Sequence, residues 1–174
     1  MMDLTLKDFI NSFEFDYFES YSLQRGGEFE VYENLLTKLQ QDENSLNNNE
    51  LILLKSFKHS KLYKLENNSI FQLNNQLNST AEFIAKISKN TYLSEEFIEI
   101  FNLPFIKFDA WMCYPIYRDA ILFYDNKNNL INGLNICFQC LNIRTIENKE
   151  LKTDRIQYQK LKQFLILLGH KIIN

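Results

Sequence analysis

Apolar positions along the chain recur at two different spacings, and the spacing changes near residue 106. Before that point the helical period dominates. Leu4 to Phe13 carries a short amphipathic pattern, and Phe29, Tyr32, Leu35, Leu36 and Leu39 recur at three- and four-residue steps. The second set predicts a helix of about three turns with one buried stripe. Asn49-Glu50 opens a further helix through Leu51, Leu54 and Phe57, with Lys55, Lys58, Lys61 and Lys64 forming a basic line. Ser79-Thr80-Ala81-Glu82 fits a capping box, in which the cap hydroxyl and the later carboxylate each accept from the other's backbone N–H. It predicts a helix with Phe83, Ile84 and Ile87 turned inward. Ser94 is the expected cap of the next helix, with Glu95 and Glu96 in its first turn where the dipole favours acids. Phe97, Ile98 and Phe101 face the core there, and Pro104 ends the run. Phe13, Phe15, Tyr17, Phe18 and Tyr21 fit a strand at the first three positions and a helix at the last two, so both types remain open. Arg25-Gly26-Gly27 breaks the chain after them.

From Ile106 the pattern becomes that of strands. Ile106 to Tyr114 is rich in β-formers, and Ala120 to Tyr124 is an unbroken apolar run of the kind buried on both faces of a sheet. Asp125 to Asn129 is a polar turn of hairpin length. Leu134, Ile136, Phe138 and Cys140 then alternate with Asn135, Cys137 and Gln139. The phase flips at Cys140-Leu141, which requires a bulge or a new strand, because side chains in a strand alternate with period two. Thr153 or Asp154 caps a closing helix through Ile156, Leu161, Phe164, Leu165 and Leu168, and Gly169 is its C-cap. The expected fold is α+β in a single domain, 1–174. It has a helical N-terminal two-thirds, a small antiparallel sheet over about 106–146 and a C-terminal amphipathic helix.

Composition narrows the class. With 45% apolar and 14% aromatic residues, four Gly, two Pro and three Cys, the chain is not disordered, collagen-like or a disulfide framework. No apolar run approaches the ~20 residues of a membrane span, and the N-terminus lacks a signal-peptide pattern. An odd cysteine count with no leader predicts reduced thiols and a cytoplasmic location. The net charge of −3 is a cancellation: residues 1–50 carry −8, residues 51–143 carry +1 and residues 144–174 carry +4. That balance argues against nucleic acid as a partner and against a membrane. An acidic first third steers basic protein partners instead, and Glu28, Glu30, Glu33, Asp42 and Glu43 are the candidate contacts.

Candidate chemistry is sparse. No G-x-S-x-G, H-E-x-x-H, P-loop or G-x-G-x-x-G occurs, and His59 and His170 are the two histidines. His59 lies among lysines and reads as a surface residue. Cys113, Cys137 and Cys140 form a C-x23-C-x2-C pattern. Closing the hairpin at 125–129 puts residue 113 opposite residue 141, so Cys113 and Cys140 become neighbours. With His170 as fourth ligand the set would match the Cys3His sites zinc accepts. Plain core packing is the favoured reading of the three cysteines, with zinc and a redox thiol pair as the alternatives. Arg118 is expected to pair with Asp109 or Asp125, and Glu147-Asn148-Lys149, with the spacing of some nucleases, to be a chance match in a polar loop.

Four stretches carry a resemblance: Cys113-Tyr114-Pro115, Ala120 to Asp125, Ile136 to Cys140 and Leu161 to Gly169. In these, residues 113–168 resemble a group of small uncharacterised bacterial proteins. That group shares a Cys-x-x-Pro-Arg-like opening, an A-I-x-F-Y-D strand, a polar turn, an I-C-F-x-C strand and a closing helix. The opening departs from the pattern, because Ile116-Tyr117 intervenes between Pro115 and Arg118. The resemblance implies no established activity; no cofactor is expected, and recurrence of the cysteines keeps zinc as the alternative. The function expected from the residues is a non-catalytic protein-interaction module, in its most concrete form an immunity or antitoxin-like inhibitor of a basic partner. A zinc-binding protein using the cysteines and an enzyme with an unrecognised site are the alternatives.

Overall fold

The computed structural model describes residues 4–25, 27–42, 45–59, 69–71, 76–107, 113 and 115–172, the side chains of 27–30, 33, 58 and 59 excepted. In chain order the elements are α1 (Leu6–Ile10), β1 (Tyr17–Ser22), α2 (Gly27–Gln41), α3 (Asn48–His59), β2 (Glu82–Ser88), α4 (Tyr92–Asn102), β3 (Asp119–Tyr124), β4 (Leu130–Cys137), β5 (Asn142–Thr145) and α5 (Arg155–Leu168). The five strands form one sheet in the order β2-β1-β3-β4-β5, with every neighbour antiparallel.

The α+β character stands, but the helical N-terminal two-thirds does not. Two of the five strands, β1 and β2, come from that part of the chain, and β1 lies inside the sheet between β2 and β3. Both departures have a physical cause. β1 is buried at five of its six positions, so polar residues do not mark alternate places along it. In β2, Ala85 pairs with Ser20 and Phe83 with Tyr21, which leaves Ile84 as an extra residue in the ladder. That bulge breaks the period of two and places Phe83, Ile84 and Ile87 at spacings a helix would also satisfy. No capping box forms at Ser79. Instead the Asn78 side chain accepts from the Thr80 N–H and hydroxyl, making a turn into the strand. Nor does a strand start at Ile106: Ile106 and Lys107 are irregular, residues 108–112 and 114 lie outside the described residues, and 115–118 lead in without pairing as a strand.

Side chains on one face of the sheet, Phe18, Ile87, Ile121, Phe123, Leu134, Ile136 and Ile143, meet α1, α4 and α5 in the main core. Aromatic rings dominate it. Phe97 lies 4.5 Å from Phe18 and 4.4 Å from Phe101, centroid to centroid, and Phe123 touches Phe9, Phe13 and Phe15. Such tilted and edge-on pairs add to the large area each ring buries. The other face carries a smaller core of Tyr21, Leu23, Ile70, Ala120 and Leu122. Gly133 permits this packing, since a Cβ there would stand 2.6 Å from Leu122 Cδ2 and 2.8 Å from Ile146 Cγ2. α2 and α3 pack on each other through a third, separate cluster of Leu35, Leu46, Leu54 and Phe57. Among the described residues no helix is long and apolar enough to cross a membrane.

The phase flip at Cys140-Leu141 is a turn between β4 and β5, and Leu141 takes the left-handed conformation (φ 46°) that reverses the chain. α5 begins and ends as its sequence predicts. Asp154 and Gln157 complete a capping box, and Gly169, at φ 110°, closes the helix. Its N–H donates to Ile166 O while the His170 N–H donates to Leu165 O, the paired bonds of a Schellman end.

Candidate functional sites

Three places gather chemistry: a buried ionic cluster at the end of α5, the cysteine corner, and a groove between α4 and α5. The ionic cluster centres on Asp119, the first residue of β3, which lies opposite Ser22 in β1. Its Oδ1 accepts from His170 Nδ1 at 2.7 Å and its Oδ2 from Arg25 Nη2 at 2.5 Å. Arg25 Nη1 also donates to the Lys171 carbonyl. The left-handed Gln24 (φ 48°) turns the chain after β1 so that Arg25 reaches back over β3. Burial lowers the Arg25 guanidinium below its ordinary value, and the Asp119 charge opposes that. Arg118 is lowered by burial and then by the nearby Arg25 charge, with Cys137 and Asp119 acting in the opposite sense.

Ser22, His170 and Asp119 share residue types with a nucleophile triad but not its geometry. Ser22 Oγ stands 3.4 Å from His170 Nδ1, the same nitrogen that donates to Asp119. General-base activation of a serine needs the opposite ring nitrogen, with the carboxylate on Nδ1. His170 Nε2 is buried with no hydrogen-bond partner among the described residues, and the side chain is fully enclosed. The arrangement clasps the C-terminal segment to the sheet and does not activate a nucleophile. Arg25 and Ser22 carried no signal in the sequence beyond the break at Gly26. Of the two partners expected for Arg118, Asp125 holds its own turn through Lys127 N, Asn129 N and the Asn129 side chain, and Asp109 lies outside the described residues.

The cysteines gather as the hairpin geometry predicts, but in a different chemical state. Cys113 and Cys140, with Cα atoms 5.6 Å apart, form a disulfide, which corrects the expectation of reduced thiols throughout. Cys137 keeps a free, buried thiol. It shares a small buried cluster with Cys140 and Tyr117. His170 does not join them. Asp119 and Ile136 are paired and share a face, so Cys137, one residue further along β4, points to the opposite face from the Asp119–His170 clasp. The Cys3His set is therefore not assembled, and two of its sulfurs are bonded to each other. Among the described residues no group of three or more His, Cys, Asp or Glu side chains is placed to hold a metal ion.

Of the acidic residues expected to meet a partner, Asp42 is exposed just beyond α2. Glu28, Glu30 and Glu33 lie on α2 with side chains outside the described residues, as is Glu43 altogether, and the His59 side chain likewise. Glu147 and Lys149 form an exposed ion pair at 2.6 Å, a surface turn and not a site. The groove between α4 and α5 encloses about 440 Å³. Ile100, Leu103 and Phe164 supply its apolar lining, Glu95, Glu96 and Glu99 one charged wall, and Lys160 and Gln163 the facing wall. Tyr92 and Leu167, 77% and 65% exposed, stand at the groove as large apolar side chains in water. Glu95 and Glu96 were legible only as first-turn acids of a helix. That they border a groove depends on where α5 lies.

Compared with models of protein families, with curated proteins and with solved structures, the chain matches none.

Proposed function

We propose that this chain is a non-catalytic protein-interaction module, an immunity or antitoxin-like inhibitor, which takes a basic partner segment into the groove between α4 and α5. The observation that carries the reading is the combination of three carboxylates with exposed apolar side chains around one groove. Acids steer a cationic partner toward the surface, and Tyr92 and Leu167 provide apolar area for it to cover once seated. Tyrosine is well suited to such a role because it offers a large contact surface at little conformational cost. The acidic first third of the sequence adds to the same long-range field. The geometry of Ser22 and His170 supports the non-catalytic part, since neither is placed to act on a substrate.

The test is capture from the source organism with the wild-type chain and with the triple variant Glu95→Gln, Glu96→Gln, Glu99→Gln, side by side. The expected outcome is a basic protein retained by the wild type and weakened about tenfold by the variant, as three exposed charge pairs would give at low salt. Equal retention by both proteins removes the groove from the reading.

A further inference from the structure

The cysteine corner is left unused by the docking reading and stands independently of it. Cys140 lies in the turn that follows β4, Cys137 is the last residue of β4, and both are buried in one cluster with Tyr117. Cys113, the other half of the disulfide, is exposed at the surface just ahead of the approach to β3. A free thiol therefore sits two intervening residues from a disulfide sulfur, the C-x-x-C spacing at which two cysteines readily bond to each other.

We propose that the Cys113–Cys140 disulfide is exchangeable, opened from within by Cys137, and that Cys113 is the position at which the chain takes up a low-molecular-weight thiol. In the first step the Cys137 thiolate attacks Cys140 Sγ. A Cys137–Cys140 bond forms, the Cys113–Cys140 bond breaks, and the electron pair leaves on Cys113 Sγ. The proton lost by Cys137 is balanced by one available to Cys113, so no outside oxidant or reductant is consumed. In the second step the Cys113 thiolate attacks a small disulfide such as oxidised glutathione. A mixed disulfide forms on Cys113, and one small thiolate departs.

Two features favour this direction. The attacking thiol and the attacked half of the disulfide already share one buried cluster. The leaving sulfur is the exposed one, where water solvates the departing thiolate, whereas a thiolate left in the buried cluster would lose that hydration. The exchange would also release Cys113 from Cys140 in the turn between β4 and β5.

The experiment is incubation of the purified, oxidised chain with oxidised glutathione at neutral pH under native conditions, followed by acid quenching and mass mapping of the cysteine peptides. The expected result is glutathione on Cys113 together with a Cys137–Cys140 bond. Cys137→Ser and Cys137→Ala, which retain the original disulfide, should show at least about tenfold less modification of Cys113. Their urea midpoints report whether either substitution has disturbed folding, and agreement between the two separates chemistry from packing. Glutathione on Cys137, equal yields in wild type and both variants, or no modification at all would overturn the proposal. So would a zinc ion held stoichiometrically by the reduced chain with exchange blocked, which would make the corner a metal site.

Discussion

At the scale of single residues, Asp119 is the most consequential side chain among those described. Its carboxylate meets the Arg25 guanidinium and the His170 ring at once, with 1% of its side chain exposed. Asp119→Asn keeps the shape but removes the charge, leaving the half-buried Arg25 guanidinium with no counter-ion among the described residues. Breaking one side of a buried pair is strongly destabilising, so the substitution should cost about 3 kcal/mol, read as a lower urea midpoint at an unchanged slope. A double-mutant cycle with Arg25→Met should recover part of that loss, since removing both partners leaves no orphaned charge. The sequence did not announce this residue. Asp119 stands beside Arg118 and invites a local pairing, whereas its real partners come from positions 94 and 51 residues away. Nothing in a linear pattern encodes which buried carboxylate meets which distant cation.

At the scale of elements, the two ends of α5 were legible. Asp154, the α5 cap, accepts from Gln157 N at 2.9 Å while Gln157 Oε1 accepts from Asp154 N at 3.1 Å. Asp154 Oδ2 also takes the Ile106 N–H, tying the chain beyond α4 to the start of α5. Asp154→Ala should therefore cost roughly 1–2 kcal/mol, toward the upper end for a cap, measurable by thermal or urea unfolding. α4 shows how such a signal can be displaced. Ser94 does take part in a capping box, but as the N3 partner of the true cap Thr91, three residues earlier. The same short-range logic misled at Ser79, where a motif for a helix start stands before β2. Capping residues act on whatever backbone follows, and here the pairing of β2 with β1 outweighs local propensity.

For the molecule as a whole, the division of its apolar interior into separate clusters predicts uneven stability. α2 and α3 hold each other through Leu35, Leu46, Leu54 and Phe57, apart from the core beneath α4 and α5. Leu54→Ala should reduce hydrogen-exchange protection in α2 and α3 by about 2–3 kcal/mol while the protection of β1 and β3 stays near that of the wild type. Phe97→Ala, which opens the aromatic core shared by α4, β1, β3 and α5, should cost roughly 3–5 kcal/mol in those elements. Uniform loss of protection from both substitutions would show that the chain unfolds as one unit.

Local chemistry by itself determined the polar turn at Asp125–Asn129, the hairpin of β3 and β4, the cap and stop of α5, and the neighbourhood of Cys113 and Cys140. Each of these depends on contacts within a few residues or on closing one short hairpin, so residue type and spacing carry enough information. Tertiary structure decided that β1 enters the sheet, that Ile84 is a bulge, that Arg25 and His170 converge on Asp119, and that α5 completes a groove with α4. Those outcomes follow from which distant segments bury one another. A strand hidden on both faces and an ion pair across the fold leave no periodic trace along the chain.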